Sequence, residues 1–134
     1  MSGAAGPKSR RSHPVFERGS VSVLTAGVMV VLVVLAMGVS DVARVLSAAA
    51  RAQTAADAAA LAAAQELVLP SGTSPTDVAR SYAERNGGEL LSCDCPPNAS
   101  AAIVDVRVAV GRLLLFGSDR VVTAAAKAVV DRPS

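Results

Sequence analysis

From Gly19 to Ser40 the chain reads GSVSVLTAGVMVVLVVLAMGVS, twenty-two residues without a charge, fifteen of them Val, Leu, Ala or Met. As a helix rising about 1.5 Å per residue it reaches roughly 33 Å, against about 30 Å of bilayer hydrocarbon. Backbone amides inside lipid bond only to one another, so a lone segment of this length crosses as a helix. A buried parallel strand would share the Val-rich composition, but strands rarely run beyond about ten residues. The pattern predicts a transmembrane helix over residues 19–40.

Beyond Ser40 the apolar positions become small. Twelve of the seventeen residues from Ala48 to Ala64 are Ala, the strongest helix former, and neither Gly nor Pro interrupts until Pro70. The helix is expected to run on through residues 41–69 as an Ala-rich extension, giving one rod on the order of 75 Å long. Arg44, Ser47, Arg51 and Thr54 fall along one polar stripe, with Val42, Leu46, Ala49 and Ala56 elsewhere on the cylinder. An Ala-dense face admits a second helix backbone at close range, so this helix is expected to have neighbours.

Pro70-Ser71-Gly72-Thr73 ends the rod, and a small domain is expected over residues 70–134. Ser74 has the place of an N-cap, with Pro75 at the first helical position and Asp77 three residues after the cap. The helix predicted for Pro75–Arg85 gathers Val78, Ala79, Tyr82 and Ala83 on one face, and Asn86-Gly87-Gly88 supplies a left-handed stop. Glu89–Ser92 reads as a short strand entering Cys93. Residues 101–110 alternate, with Val104, Val106, Val108 and Val110 on one face and Asp105 and Arg107 on the other. Gly111-Arg112 breaks or bulges this strand, Leu113–Phe116 resumes an apolar run, and Gly117–Arg120 reads as a turn. Val121–Val130 suits a strand pairing back on 103–110, although its alanines would also suit a helix. The predicted class is α+β: a long transmembrane helix, its Ala-rich continuation, then one helix on a small antiparallel sheet.

Composition adds that the core is made of small side chains. Half of the 134 residues are apolar, yet there is no Trp, one Tyr and two Phe. Ala and Val bury little area each, so stability is expected to lean on the membrane or on partners. The net charge of +2 divides unevenly. Residues 1–18 hold Lys8, Arg10, Arg11 and Arg18 against Glu17, whereas residues 41–134 are close to neutral. Basicity beside an uncharged span is a topology signal and not a nucleic-acid footprint. The positive-inside bias puts residues 1–18, a disordered basic tail, in the cytoplasm, and the rest of the chain outside it. A cleaved secretory signal would have a shorter apolar core, of about 7–15 residues, before a small-x-small site such as Ala48-Ala49-Ala50. Retention as a single-pass anchor is expected instead.

Little in the sequence can carry catalysis. The one histidine, His13, lies in the tail, so no ordinary triad exists to activate a serine. Cys93-Asp94-Cys95 is the one cysteine pair; outside the cytoplasm it is expected to be oxidised, within the pair or to another chain. Two sulfurs fall short of the four ligands of a structural zinc site. Asn98-Ala99-Ser100 matches a glycosylation sequon, but Pro96-Pro97 already explains an exposed loop there. No enzyme activity, cofactor or metal is expected.

The N-terminal half carries a recognisable constellation. Glu17-Arg18-Gly19-Ser20, an uncharged span, Asp41 just past it, and Arg51-x-Gln53-x-Ala55-Ala56-Asp57-A-A-A-Leu61-A-A-A resemble the TadE/TadG-like family of the tight-adherence (Flp pilus) systems. The remainder, with A-x-x-N-G-G before a Ser-Cys strand, is similar to the short actinobacterial branch of that family. The resemblance implies a non-enzymatic, pilin-like, single-span component of a pilus-assembly or secretion system. Its partners would be the membrane and other pilus-assembly proteins, met through the Ala-rich helix. Arg51, Gln53, Ala55, Ala56, Asp57 and Leu61 would be the packing motif, with Gln53 and Asp57 fixing register. Processed prepilins carry Glu at the fifth position after the cleavage glycine; counted from Gly19 that position is Leu24, which fits the unprocessed members. Two other readings stay open: a membrane-tethered redox or binding module centred on Cys93 and Cys95, and a small secreted protein released by signal cleavage.

Overall fold

The computed structural model describes residues 2–8 and 17–131. Of the tail expected over residues 1–18, residues 1 and 9–16, with His13 among them, lie outside the described residues. Among the described residues, three strands and two helices follow in the order α1 (Glu17–Val68), α2 (Pro75–Arg85), β1 (Glu89–Asp94), β2 (Ala101–Arg112) and β3 (Asp119–Val129). The fold is α+β, and the chain divides into two compact units, Met1–Ala36 and Met37–Ser134.

In the first unit every residue of α1 from Gly19 to Ala36 is exposed. Its large apolar side chains, Val28 and Val30–Leu35 among them, are about half exposed or more. Among the described residues, α1 is the one helix long and apolar enough to cross a membrane.

In the second unit α1 has the opposite character, because its alanines go inward. Ala55, Ala56, Ala59, Ala60, Ala63 and Ala64 join Ala79 and Ala83 of α2, Ala102, Val104 and Val106 of β2 and Ala126 of β3 in one buried cluster. A smaller cluster holds Ala48 and Ala52 against Val108. The face that reads in sequence as needing a neighbouring helix is thus met by the chain's own sheet and short helix. Small side chains are what permit this close approach, since a helix studded with Leu would stand farther off the sheet. Val104 and Val106 are the largest fully buried side chains.

One junction shows how tight the fit is. At Gly88 an added Cβ would lie 2.5 Å from Val106 Cγ1 and 3.0 Å from Ala55 Cβ. The link from α2 to β1 has to pass through a residue without a side chain at Gly88, where β2 and α1 close over it. The end itself follows the expected pattern: Gly87 takes φ +76°, and the Gly88 N–H donates to Ala83 O at 2.9 Å. At the other end of α2, Ser74 caps through its backbone, its carbonyl accepting from the Asp77 and Val78 N–H, with no side-chain cap bond. Asp77 turns to Arg80 instead, at 3.0 Å.

The sheet is antiparallel in the order β1-β2-β3. Register places Val104 opposite Ala126, Val106 opposite Ala124 and Val108 opposite Val122, all toward the core. Val121–Val129 is therefore strand, and its pairing with β2 is the one expected. The outer face is polar: Arg107 donates through Nε and Nη2 to both oxygens of Glu89 at 2.8 Å, and Ser92 Oγ to Asp105 at 2.6 Å. One detail differs from the sequence reading: the turn expected over Gly117–Arg120 is shorter, since the β2–β3 connection runs over residues 113–118 and Asp119-Arg120 already belongs to β3. The expected bulge does occur, between Ala109 and Gly111, where Gly111 takes φ +81°.

Candidate functional site

The motif residues of α1 separate onto two faces. Ala55 and Ala56 are fully buried, and Ala55 meets Gly88 and Val106 at the tight junction where α2 ends. Arg51, Gln53, Asp57 and Leu61 face away from the core and are exposed. Gln53, Asp57 and Leu61 follow one another at intervals of four, which puts them on a single stripe of the helix. Gln53 Nε2 donates to Asp57 Oδ1 at 2.9 Å, so the amide and the carboxylate hold each other in place. Leu61 is 57 % exposed. A positioned amide, a carboxylate and a bare leucine on a rigid helix are suited to contact with another protein.

A second constellation lies where the uncharged run ends. Asp41 is buried, 3 % exposed, on the first turn of α1 past Ser40. One carboxylate oxygen accepts the N–H of Leu114 at 2.7 Å and the other that of Leu115 at 2.8 Å. One turn on, Arg44 Nη1 donates to Arg112 O at 2.8 Å. Together they tie the β2–β3 connection to the helix. The Leu114 and Leu115 N–H groups hold the Asp41 carboxyl below the ordinary aspartate range; burial opposes this, and the Arg44 charge assists it. Asp41 appears in the sequence as a lone charge after the span. Its partners are 73 and 74 residues away, and no local pattern pairs them.

The cysteines lie at the opposite end of β1. Cys93 and Cys95 form a disulfide with Cα atoms 5.5 Å apart, and both pack half-buried against the main core cluster. The loop beyond them turns through Asn98 at φ 67°, with the Ala99 N–H donating to Pro96 O at 3.0 Å. Opposite this loop, Glu66 accepts the Ser71 N–H and hydroxyl, bonds that hold its carboxyl below its usual range. Among the described residues no three His, Cys, Asp or Glu side chains gather in a metal-binding group.

Residues 19–66 match the protein-family model described as putative Flp pilus-assembly TadE/G-like. This is a TadE/G-like segment. The match covers the uncharged run, Asp41 and the whole Arg51–Ala64 motif, and it stops before α2 and the sheet. No curated protein and no solved structure matches the chain. The TadE/G-like segment is thus one continuous helix whose first part is bare, whose motif alanines enter a core, and whose motif polar residues stay outside.

Proposed function

We propose that this protein is a non-enzymatic, membrane-anchored, pilin-like component of a Flp/Tad-type pilus-assembly or secretion system. The observation that carries the proposal is the TadE/G-like match over residues 19–66, on a helix that is exposed along Gly19–Ala36. Residues 19–40 are the span, residues 1–18 the cytoplasmic tail, and residues 41–134 the extracytoplasmic part: the Ala-rich extension over 41–69 and the small α+β domain over 70–134, packed together. The charge asymmetry supports that orientation, as does the Cys93–Cys95 disulfide, since disulfides persist outside the reducing cytoplasm. Other pilus-assembly proteins are met through the outward stripe of the Ala-rich helix, by Gln53, Asp57 and Leu61, with Arg51 exposed on another side of the helix, while Ala55 and Ala56 hold that stripe against the domain.

Fractionation with determination of the mature N-terminus tests the anchor. An intact N-terminus in the membrane fraction is expected. A chain beginning near Ser20 would mean prepilin-like processing despite Leu24. A chain beginning near Arg51 in the medium would contradict the anchor outright. Protease added to spheroplasts checks orientation, since residues 41–131 should be cut from outside.

A further inference from the structure

The β2–β3 connection has the wrong composition for a turn in water. Hairpin connections usually hold Gly, Asn, Asp or Pro, whereas here Leu113-Leu114-Leu115-Phe116 precedes Gly117. Leu113 is buried, but Leu114, Leu115 and Phe116 are 51 %, 44 % and 65 % exposed. Three adjacent large apolar side chains on a loop tip are an unusual surface for a soluble domain. The loop is also held in one place. Asp41 grips its Leu114 and Leu115 N–H groups, and Leu115 Cδ1 lies 3.6 Å from where a Gly38 Cβ would be. Gly38 and Asp41 bracket the end of the uncharged run. A run of roughly 33 Å crossing about 30 Å of hydrocarbon puts that end at the boundary between acyl chains and headgroups. The loop therefore sits at the same depth, beside the helix.

The surrounding charges agree with a lipid surface. Arg44, Arg112 and Arg120 are all exposed around the loop, and the Arg120 guanidinium lies 6.0 Å from the centre of the Phe116 ring. Arginines flanking apolar side chains match the anionic headgroups and acyl chains of a bilayer margin. Beside the loop, Val45, Val110, Leu113, Phe116, Val121 and Val122 line a cavity of about 360 Å³.

We infer that the β2–β3 loop is a second membrane contact: Leu114, Leu115 and Phe116 enter the bilayer margin beside the end of the span, with the three arginines at the headgroups. This rests on the anchored reading proposed for the chain. Asp41 is then a positioning residue, which satisfies the two turn amides so that the loop can enter an apolar layer with its backbone bonded. The consequence is that the domain touches the membrane at a second point besides the span.

The chain has no tryptophan, so the full-length F116W variant carries a single indole at the loop tip, and V129W carries one at the far end of β3. Both are reconstituted into phosphatidylcholine–phosphatidylglycerol vesicles, with and without lipids brominated near the headgroup. Flotation of the vesicles reports anchoring independently of the indole. The inference predicts that the F116W emission is blue-shifted and quenched by brominated lipid, that V129W is neither, and that D41N in the F116W background weakens the quenching while flotation persists. Flotation with an F116W indole open to acrylamide and untouched by bromine would overturn the second contact and leave the anchor standing. An indole shielded from both reagents would overturn it in favour of a second copy of this chain covering the loop. Failure to float would refute the anchor, and the second contact with it.

Discussion

The two stretches of α1 obey opposite rules. From Gly19 to Ala36 large side chains, Val, Leu and Met, lie entirely exposed, whereas from Ala48 to Ala64 the smallest side chain of all is buried to completion at Ala52, Ala55, Ala56, Ala59 and Ala63. In a soluble protein burial rises with apolar size, because each buried methylene is worth about 0.8 kcal/mol. The inversion makes sense when the solvent changes along the helix. Large apolar groups suit a stretch whose surroundings are acyl chains, while a stretch in water must bring a helix and a sheet together closely, which only small residues permit. The first stretch is selected for what surrounds it and the second for how near its neighbours can come.

Breaking the first half is expected to have the largest effect. An arginine in place of Val31, mid-span, should cost about 2.5–3.5 kcal/mol of insertion free energy and move protein out of the membrane fraction. The same residue in place of Ala50, on the exposed side of the second half, should leave insertion unchanged. Flotation of both variants side by side reads the contrast.

Next comes the second half. Ala55→Leu adds volume where Gly88 and Val106 leave none, and the overpacking should cost about 1–3 kcal/mol. The thermal midpoint of the detergent-solubilised chain should fall by about 4–8 °C for each kcal/mol, with insertion unaffected. A variant that unfolds no earlier would mean that the helix does not lie closely on the sheet.

A smaller effect is expected at Asp41, where the two stretches meet. Its carboxyl is held below the ordinary aspartate range by the Leu114 and Leu115 N–H groups. The clasp therefore contributes fully above that range and is lost as pH falls through the lowered value. Protection of the Leu114 and Leu115 amides against hydrogen exchange should drop on acidification, and D41N should remove that pH dependence. The smallest change in stability, within about 0.5 kcal/mol, is expected for Asp57→Leu on the exposed stripe. Insertion and folding should persist there while association with partner proteins is lost, measured by co-purification.

Local patterns in the sequence were enough to define α1, α2 and β2, while Val121–Val130 stayed open between a strand and a helix. Helix propensity without a breaker before Pro70, the proline and glycines around α2, and the alternation of Val104, Val106 and Val108 each depend on near neighbours. What stayed hidden depends on contacts distant in sequence. Alanines have no polarity to reveal which side is covered, so the inward turn of Ala55 and Ala56 cannot be read from α1 alone. Leu113–Phe116 reads only as an apolar run, because the acceptor of its Leu114 and Leu115 amides is Asp41, more than seventy positions earlier. The motif's chemistry was legible as a set of residues, but its division into a buried pair and an exposed stripe was not.

Assembly, on this reading, depends most on the exposed stripe being the surface that meets other proteins. Photo-crosslinking residues placed singly at Leu61 on the stripe and at Thr123 on the outer face of β3, in the cells that make the pilus, would test it directly. Leu61 is predicted to yield discrete crosslinks to other membrane-fraction assembly proteins, lost in the Asp57→Leu background, with none from Thr123. Crosslinks from Thr123 alone would place assembly on the sheet and contradict a docking role for the TadE/G-like helix.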